Sequence, residues 1–203
     1  ELLGGNSWDS LPAVKGTGAS LIHITRYAGD GWGRVKYYES RGDNKYQNMR
    51  PGDYTIGPGT HDDESLISQY QNYGTTRARN LASDLGLYVR DLEKSRSKWT
   101  DASFAELFTT KNQFATLPDI LGSAERINEP GVQKGNWEYR AGDDYKDNYY
   151  RNLSQGKGLN LPDALSKALK AKGKDALLAR KLEHYANILR EPETERQRLN
   201  FNV

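Results

Sequence analysis

The chain has 203 residues, a length that suits one domain or one domain with an appendage. Its 29 basic and 27 acidic side chains leave a net charge of +2, so the composition offers no electrostatic drive toward nucleic acid or a membrane surface, and no apolar run is long enough to span a bilayer. Without cysteine it can form neither disulfides nor thiolate-bound metal sites, and with only 35% apolar residues it is expected to build much of its core from 13 Tyr, 4 Trp and 4 Phe.

Glu1 to Gly18 is irregular, interrupted by Gly4, Gly5, Pro12 and Gly16. The opening Glu1–Trp8 has no basic region ahead of an apolar run, so it is not a signal peptide; it reads as a cut inside a longer chain, and a cytoplasmic location is expected. Ser20–Thr25 is the best strand, β-branched and bounded by glycines, with His23 inside it as a hydrogen-bonded core residue. Gly29–Gly33 is glycine-rich but is not a phosphate-binding GxGxxG turn leading into a helix. Arg34–Tyr38 suits a short strand, and Ser40–Gly52 a polar surface loop.

Asp53–Ile56 is short and β-prone, and it leads into Gly57–Leu66, which holds Thr60, His61, Asp62, Asp63 and Glu64 in five consecutive positions. Leu66, Ile67 and Tyr70 then begin a helical spacing. The charged cluster therefore stands between a strand end and a helix start, where α/β proteins commonly place their chemistry. A purely structural role suits the same residues: Asp62 or Asp63 as an N-cap, with Glu64 in the first turn. The spacing predicts a helix over 63–73 stopping at Gly74, a second over 75–98 that Gly86 weakens, and a third over 101–110 capped by Thr100. Phe114–Leu121 reads as a short strand, 123–135 as a loop, Asn136–Arg140 as an extended stretch and 141–158 as a Tyr-rich loop. Asn160 caps a helix with Pro162 in its first turn that runs to Gly173; a last helix spans Asp175–Arg190 and is stopped by Pro192.

Several catalytic arrangements fail on spacing. The four side chains from His61 to Glu64 point in different directions on a helix and lack HExxH spacing, so they do not make a metal site. No GxSxG elbow supports a nucleophilic serine. Paired carboxylates for glycosidic chemistry remain open: Asp62 suits one member, and the second cannot be chosen from sequence. Glu125–Gly131 with Gly135–Arg140 gathers Arg126, Asn128, Asn136, Trp137 and Tyr139, which supply donors, acceptors and a flat apolar face suited to a polyhydroxylated ring. A turn pinned by Arg126 to a neighbouring carboxylate would use the same residues.

Three segments together resemble the C-terminal part of the 4-α-glucanotransferase (amylomaltase, disproportionating enzyme) family. Thr60-His61-Asp62 at a strand end is similar to that family's TGTHDND run. Leu117–Gly122, LPDILG, is similar to its PxQDLLGLG. Glu125–Gly131, ERINEPG, followed by Gly135–Arg140, GNWEYR, is similar to its ARMNxPGT and GNWxWR, in the same order and at similar spacing. The likeness is good from about Asp53 to Arg140. Departures are the Asp63-Glu64 pair after the THD run, Ala124-Glu125-Arg126 where the family has GSEAR, and Ile127 where it has Met. Ser83–Gly86, SDLG, has the shape of the family's EDLG acid segment, but it follows the THD run, lies in a helical pattern and lacks the Glu.

The resemblance implies the C-terminal portion of a (β/α)8 barrel, helix-rich with few short strands. It divides the single 1–203 region into a lead-in over 1–56, a motif-bearing barrel end over 57–140 and a helical part over 141–203. It implies retaining transfer between α-1,4-glucans by double displacement, with no cofactor or metal. Asp62 would stabilise the transition state and His61 would bind substrate hydroxyls. Thr60, Arg126, Asn128, Pro130, Asn136 and Trp137 would bind the maltooligosaccharide. A complete barrel takes about 250 residues or more. The nucleophile and general acid are therefore expected from an upstream part of the same polypeptide, and these 203 residues alone are expected to be inactive. The alternative is a non-catalytic α-glucan-binding or interaction domain using Trp32, Trp137 and the Tyr-rich loops. A small structural domain with coincidental loop matches is the third reading.

Overall fold

The computed structural model describes residues 22–24, 54–109 and 113–191. The expectations for the N-terminal stretch over 1–18, the glycine-rich loop over 29–33 with Trp32, the strand over 34–38, the loop over 40–52 and the tail beyond Glu191 lie outside these residues.

Three short strands, β1 Ile22–Ile24, β2 Tyr54–Ile56 and β3 Gln113–Phe114, form a parallel sheet in the order β1-β2-β3. Ile22 pairs with Tyr54 and Ile24 with Ile56, while Ile56 pairs with Phe114. The Gly57 amide extends the last ladder by donating to the Phe114 carbonyl at 3.0 Å. Parallel neighbours need a crossover. Between β2 and β3 it is made of three helices: α1 Leu66–Leu85, α2 Val89–Lys94 and α3 Arg96–Phe108. After β3 come α4 Leu117–Leu121, α5 Tyr145–Ser154, α6 Leu161–Ala171 and α7 Ala176–Arg190. The architecture is α-rich, and strands of two or three residues do not define a barrel. No helix among the described residues is long and apolar enough to cross a membrane.

Helix boundaries depart from the sequence expectation where burial outweighs local propensity. Gly74 does not end a helix; α1 runs through it to Gly86, which takes a left-handed backbone (φ 66°) as C-cap. A glycine inside a helix costs about 1 kcal/mol. The stripe Ala78, Leu81, Ala82 and Leu85 beyond it is buried, and its burial outweighs that cost. The helix expected over 75–98 is therefore the second half of α1 followed, after a break at Gly86, by α2. The cap of α3 is Ser95, whose side chain accepts from the Lys98 amide, and not Thr100, which is buried inside the helix. Phe114–Leu121 is a strand only at its first residue and then becomes α4, and the expected loop over 141–158 contains α5. Asn136–Arg140 forms no strand. Asn160, accepting from the Asp163 amide, caps α6 with Pro162 in the first turn, and α7 ends at Arg190, both as the sequence indicates.

The core is built mainly of Leu and Ala, around Trp99 and Phe104. Among the described residues the aromatic share expected from composition falls to Trp99 and Phe104, with Tyr70 and Phe108 packed against that core, while Tyr88, Tyr145 and Tyr185 are exposed. Helix α3 lies at the centre, buried from Trp99 through Leu107, and packs on α1 and α6. Its two buried acids are met by cations from other helices: Glu106 by Arg77 of α1, and Asp101 by Arg190 of α7. Arg190 also donates to Asp163 of α6 at 3.0 Å, and Asp163 pairs with Lys167. The Asn160 side chain closes this cluster, donating to the Ala186 carbonyl at 2.8 Å. Burial pushes the Asp101 carboxyl well up, with the Asp163 charge beside it acting the same way. Burial acts on Asp163 too, but the hydrogen bond with Asp101 and the Lys167 charge outweigh it and hold Asp163 down to about 2.

Candidate functional site

The cluster after β2 forms a tight turn ahead of α1. Asp63 Oδ2 accepts from the Thr60 amide at 2.8 Å and from Thr60 Oγ1 at 3.1 Å, while Thr60 Oγ1 accepts from the Asp62 amide at 3.2 Å. Thr60 is buried and its hydroxyl is engaged within the turn. Asp63 thus organises the turn and does not cap α1. The N-cap position belongs to Ser65, whose side chain makes no capping bond. The first free amide of α1, Leu66, donates instead at 2.7 Å to Asp119 Oδ1 in α4, 53 residues further along the chain.

With Asp63 turned inward, Asp62 is left half-buried with 30% of its side chain exposed, next to His61 at 35%. His61 Nε2 lies 3.2 Å from Asp62 Oδ1. The same oxygen accepts from Asn128 Nδ2 at 2.5 Å, across 66 residues of sequence. Arg126 Nη2 donates to the Asp62 carbonyl at 2.5 Å, and the Asn128 amide donates to the His61 carbonyl at 3.0 Å. The 123–140 loop is therefore laid along the backbone of the 60–65 turn. Among the described residues Asp62 Oδ2 accepts no hydrogen bond, so one carboxylate oxygen is anchored and the other is open.

The 123–140 loop is shaped by its own turn residues. Glu129–Val132 is a β-turn, closed by the Val132 amide on the Glu129 carbonyl at 3.1 Å, with Pro130 second and Gly131 third at φ 86°. That is the residue pattern a type II turn requires. Pro130 is exposed on this turn. The Asn136 amide is occupied with the same backbone: Oδ1 accepts from the Glu129 amide at 2.8 Å, and Nδ2 donates to the Glu129 and Val132 carbonyls. The structure thus places Thr60 and Asn136 as loop staples, Arg126 as a backbone clamp, and His61, Asp62 and Asn128 as the convergent side chains.

Trp137 completes the group. Its ring stands 4.8 Å from that of His61, tilted by 36°, and the residue is 59% exposed. Its backbone is left-handed at φ 63°, a conformation that costs a non-glycine residue about 1–2 kcal/mol. It is held there by the Trp137 amide donating to the Ile127 carbonyl at 2.7 Å and by Arg140 Nη1 donating to the Trp137 carbonyl. A large apolar face kept exposed in a strained conformation beside a half-buried carboxylate is an arrangement able to stack on a flat ring and accept its hydroxyl hydrogens.

Electrostatically the most shifted group near the site is Asp119. Burial pushes its carboxyl up to about 6, against the Leu66 amide and the Thr116 hydroxyl that favour the charged form. Sequence reasoning noted Leu117–Gly122 only as a matching segment and assigned Asp119 no role. Its signal was an acid enclosed by Leu117, Pro118, Ile120 and Leu121. Among the described residues no three His, Cys, Asp or Glu side chains are grouped so as to hold a metal ion.

No protein-family model matches the chain. No solved structure matches it either. Over 90 residues, 43% of its length, the chain is 28% identical to the chloroplastic/amyloplastic 4-alpha-glucanotransferase of Oryza sativa subsp. japonica. It spans only 14% of that protein. The similarity suggests a relationship to 4-alpha-glucanotransferases and assigns no residue a role.

Proposed function

We propose that this chain is the C-terminal part of a 4-α-glucanotransferase-like enzyme, and that it contributes the carboxylate that stabilises the sugar cation during retaining transfer between α-1,4-glucans. In that chemistry a carboxylate attacks the anomeric carbon while an acid protonates the departing glycosidic oxygen, and the covalent glycosyl intermediate is then attacked by an acceptor hydroxyl that returns its proton to the same group. Asp62 supplies neither step. Its negative charge opposes the positive charge that grows at the anomeric centre, an electrostatic role worth most in a site closed to water. His61 and the open Asp62 Oδ2 bind ring hydroxyls, Trp137 stacks on a glucose face, and the Arg126–Pro130 loop borders the acceptor side.

The observation that carries this reading is the convergence of Asp62 with Asn128, two polar side chains 66 residues apart joined at 2.5 Å beside an exposed tryptophan. The parallel sheet and the exposed β3 residue Phe114 also suit a longer β/α polypeptide. The nucleophile and the acid would come from its upstream part, so the enzyme's remainder is the chain's expected partner. The test is disproportionation of maltotriose, followed by glucose release. The 203-residue chain is expected to show none. The polypeptide from the complete open reading frame is expected to be active and to lose about 10²–10³-fold on Asp62→Asn. Robust turnover by the 203 residues, or an unaffected Asp62→Asn enzyme, would refute the proposal.

The exposure of Trp137 favours a second reading, a non-catalytic α-glucan-binding module. Binding that survives Asp62→Asn but is lost with Trp137→Ala would select it.

A further inference from the structure

Two loops must meet for Asp62 to touch Asn128, and the His61–Trp137 ring contact at 4.8 Å is one tie between them. The 60–65 turn is continuous with the first residue of α1, and the 123–128 segment is continuous with the last residues of α4. One side chain links the two helices at these junctions. Asp119 is buried, and its Oδ1 accepts from the equally buried Leu66 amide at 2.7 Å. Ser65 provides no cap of its own, so the α1 N-terminus depends on an acceptor from α4. Asp119 is the third residue of the helix whose end is fixed by the Ser123 amide donating to the Pro118 carbonyl at 2.8 Å. Movement of either helix start is thereby passed to the loop beside it.

We propose that Asp119 is a positioning residue: through the Leu66 amide it holds the turn that carries Asp62 in register with the loop that carries Asn128. A local cap by the Ser65 side chain would reach the amides of the second or third helical residue, not that of Leu66, and would leave α4 and its following loop free to slide. The carboxylate supplies a charged acceptor at the positive end of a 20-residue helix and is itself held by Thr116. The ionisable side chain facing it is Asp63, whose charge opposes its ionisation. The ligand part of this inference rests on the proposed glucan-binding role of Asp62; the geometric part does not.

The test uses the 203-residue chain, isotopically labelled, in a His61→Gln background so that imidazole protonation cannot mimic the effect. Between pH 4 and 8 the Leu66 amide resonance is expected to titrate with a midpoint near the value of about 6 set by burial of Asp119, and the Asn128 side-chain amide to move with the same midpoint. Asp119→Asn retains a neutral acceptor oxygen, as the protonated acid does; it should abolish the titration and hold Asn128 near its low-pH position at every pH. Asp119→Ala removes the acceptor altogether, so it should displace the Asn128 resonance at pH 8 further than Asp119→Asn does. In chains that keep His61, maltoheptaose affinity should fall about tenfold for Asp119→Ala and recover at least in part for Asp119→Asn. Leu66 and Asn128 resonances that ignore pH across the midpoint, or a folded Asp119→Ala chain with an unmoved Asn128, would overturn the proposal. If Asp119→Ala does not fold, the titration decides alone. A parent chain that binds no maltoheptaose would refute the glucan reading while leaving the resonances to judge Asp119.

Discussion

The α3–α6–α7 bundle and the pair of loops around Asp62 are held together by opposite means. The bundle buries apolar stripes on several helices and pairs its buried acids with cations, Glu106 of α3 with Arg77 of the adjoining α1 and Asp101 with Arg190. The loops share one ring contact, His61 with Trp137, and are otherwise tied by hydrogen bonds in which a side chain of one segment reaches the backbone of another, as Arg126 reaches the Asp62 carbonyl and Asp119 the Leu66 amide. A bundle of the first kind tolerates small changes in any one contact but reacts strongly to an uncompensated charge. Loops of the second kind can lose their geometry with little loss of overall stability, because each bond contributes only about 1 kcal/mol net. Stability and site geometry should therefore separate under mutation.

The largest effect is expected from Arg77→Met, which leaves the fully buried Glu106 carboxylate without its guanidinium. Breaking a buried pair on one side costs about 3–5 kcal/mol, to be read from the urea midpoint with an unchanged m-value. Asp119 sets the next. Its folded value of about 6 lies above the ordinary 3.8, so its contribution to stability is fully present below pH 3.8 and is lost as pH rises through 6. That difference corresponds to about 3 kcal/mol. Asp119→Asn should flatten this part of the stability profile between pH 4 and 6; an unchanged slope would show that burial of Asp119 is not its source.

Gly122 tests the hinge between the two regions. It has φ 71°, and a Cβ there would lie 2.5 Å from the Gly158 amide nitrogen. Gly122→Ala should cost about 2–3 kcal/mol from left-handed backbone and overpacking together. Because the segment after Gly122 carries Asn128, it should also shift the Asn128 side-chain resonance, which Arg77→Met should not. The smallest effect belongs to Trp137. Trp137→Gly removes the ring but relaxes the backbone, and it should be more stable than Trp137→Ala by about 1 kcal/mol in thermal melts, with both losing the stacking face. Equal stabilities would mean that φ 63° carries no strain.

What could be read from the residues divides along the same line. The stripe from Ala78 to Leu85, the Asn160 cap and the α7 span were legible because periodicity and capping are local. The continuation of α1 through Gly74 was not, since its cause is burial of residues beyond the glycine against α3. The convergence of the THD and ERINEPG segments could be expected only from the family resemblance, because no local rule links positions 62 and 128. Asp63 was misread as a helix cap since an acid ahead of an apolar stripe has that appearance; the Thr60 amide and hydroxyl claim it first. Asp119, which caps α1 from 53 residues away, had no sequence signature beyond an acid set among apolar neighbours.

Calorimetric titration of the chain with maltoheptaose, comparing the parent with Asn128→Ala and Asp62→Asn, addresses the site most directly. If Asp62 held by Asn128 grips the sugar, the parent binds and each substitution weakens binding about tenfold or more, as loss of a charge-assisted hydrogen bond does. A parent that binds no maltoheptaose, or two variants that bind it as the parent does, would contradict that role for Asp62.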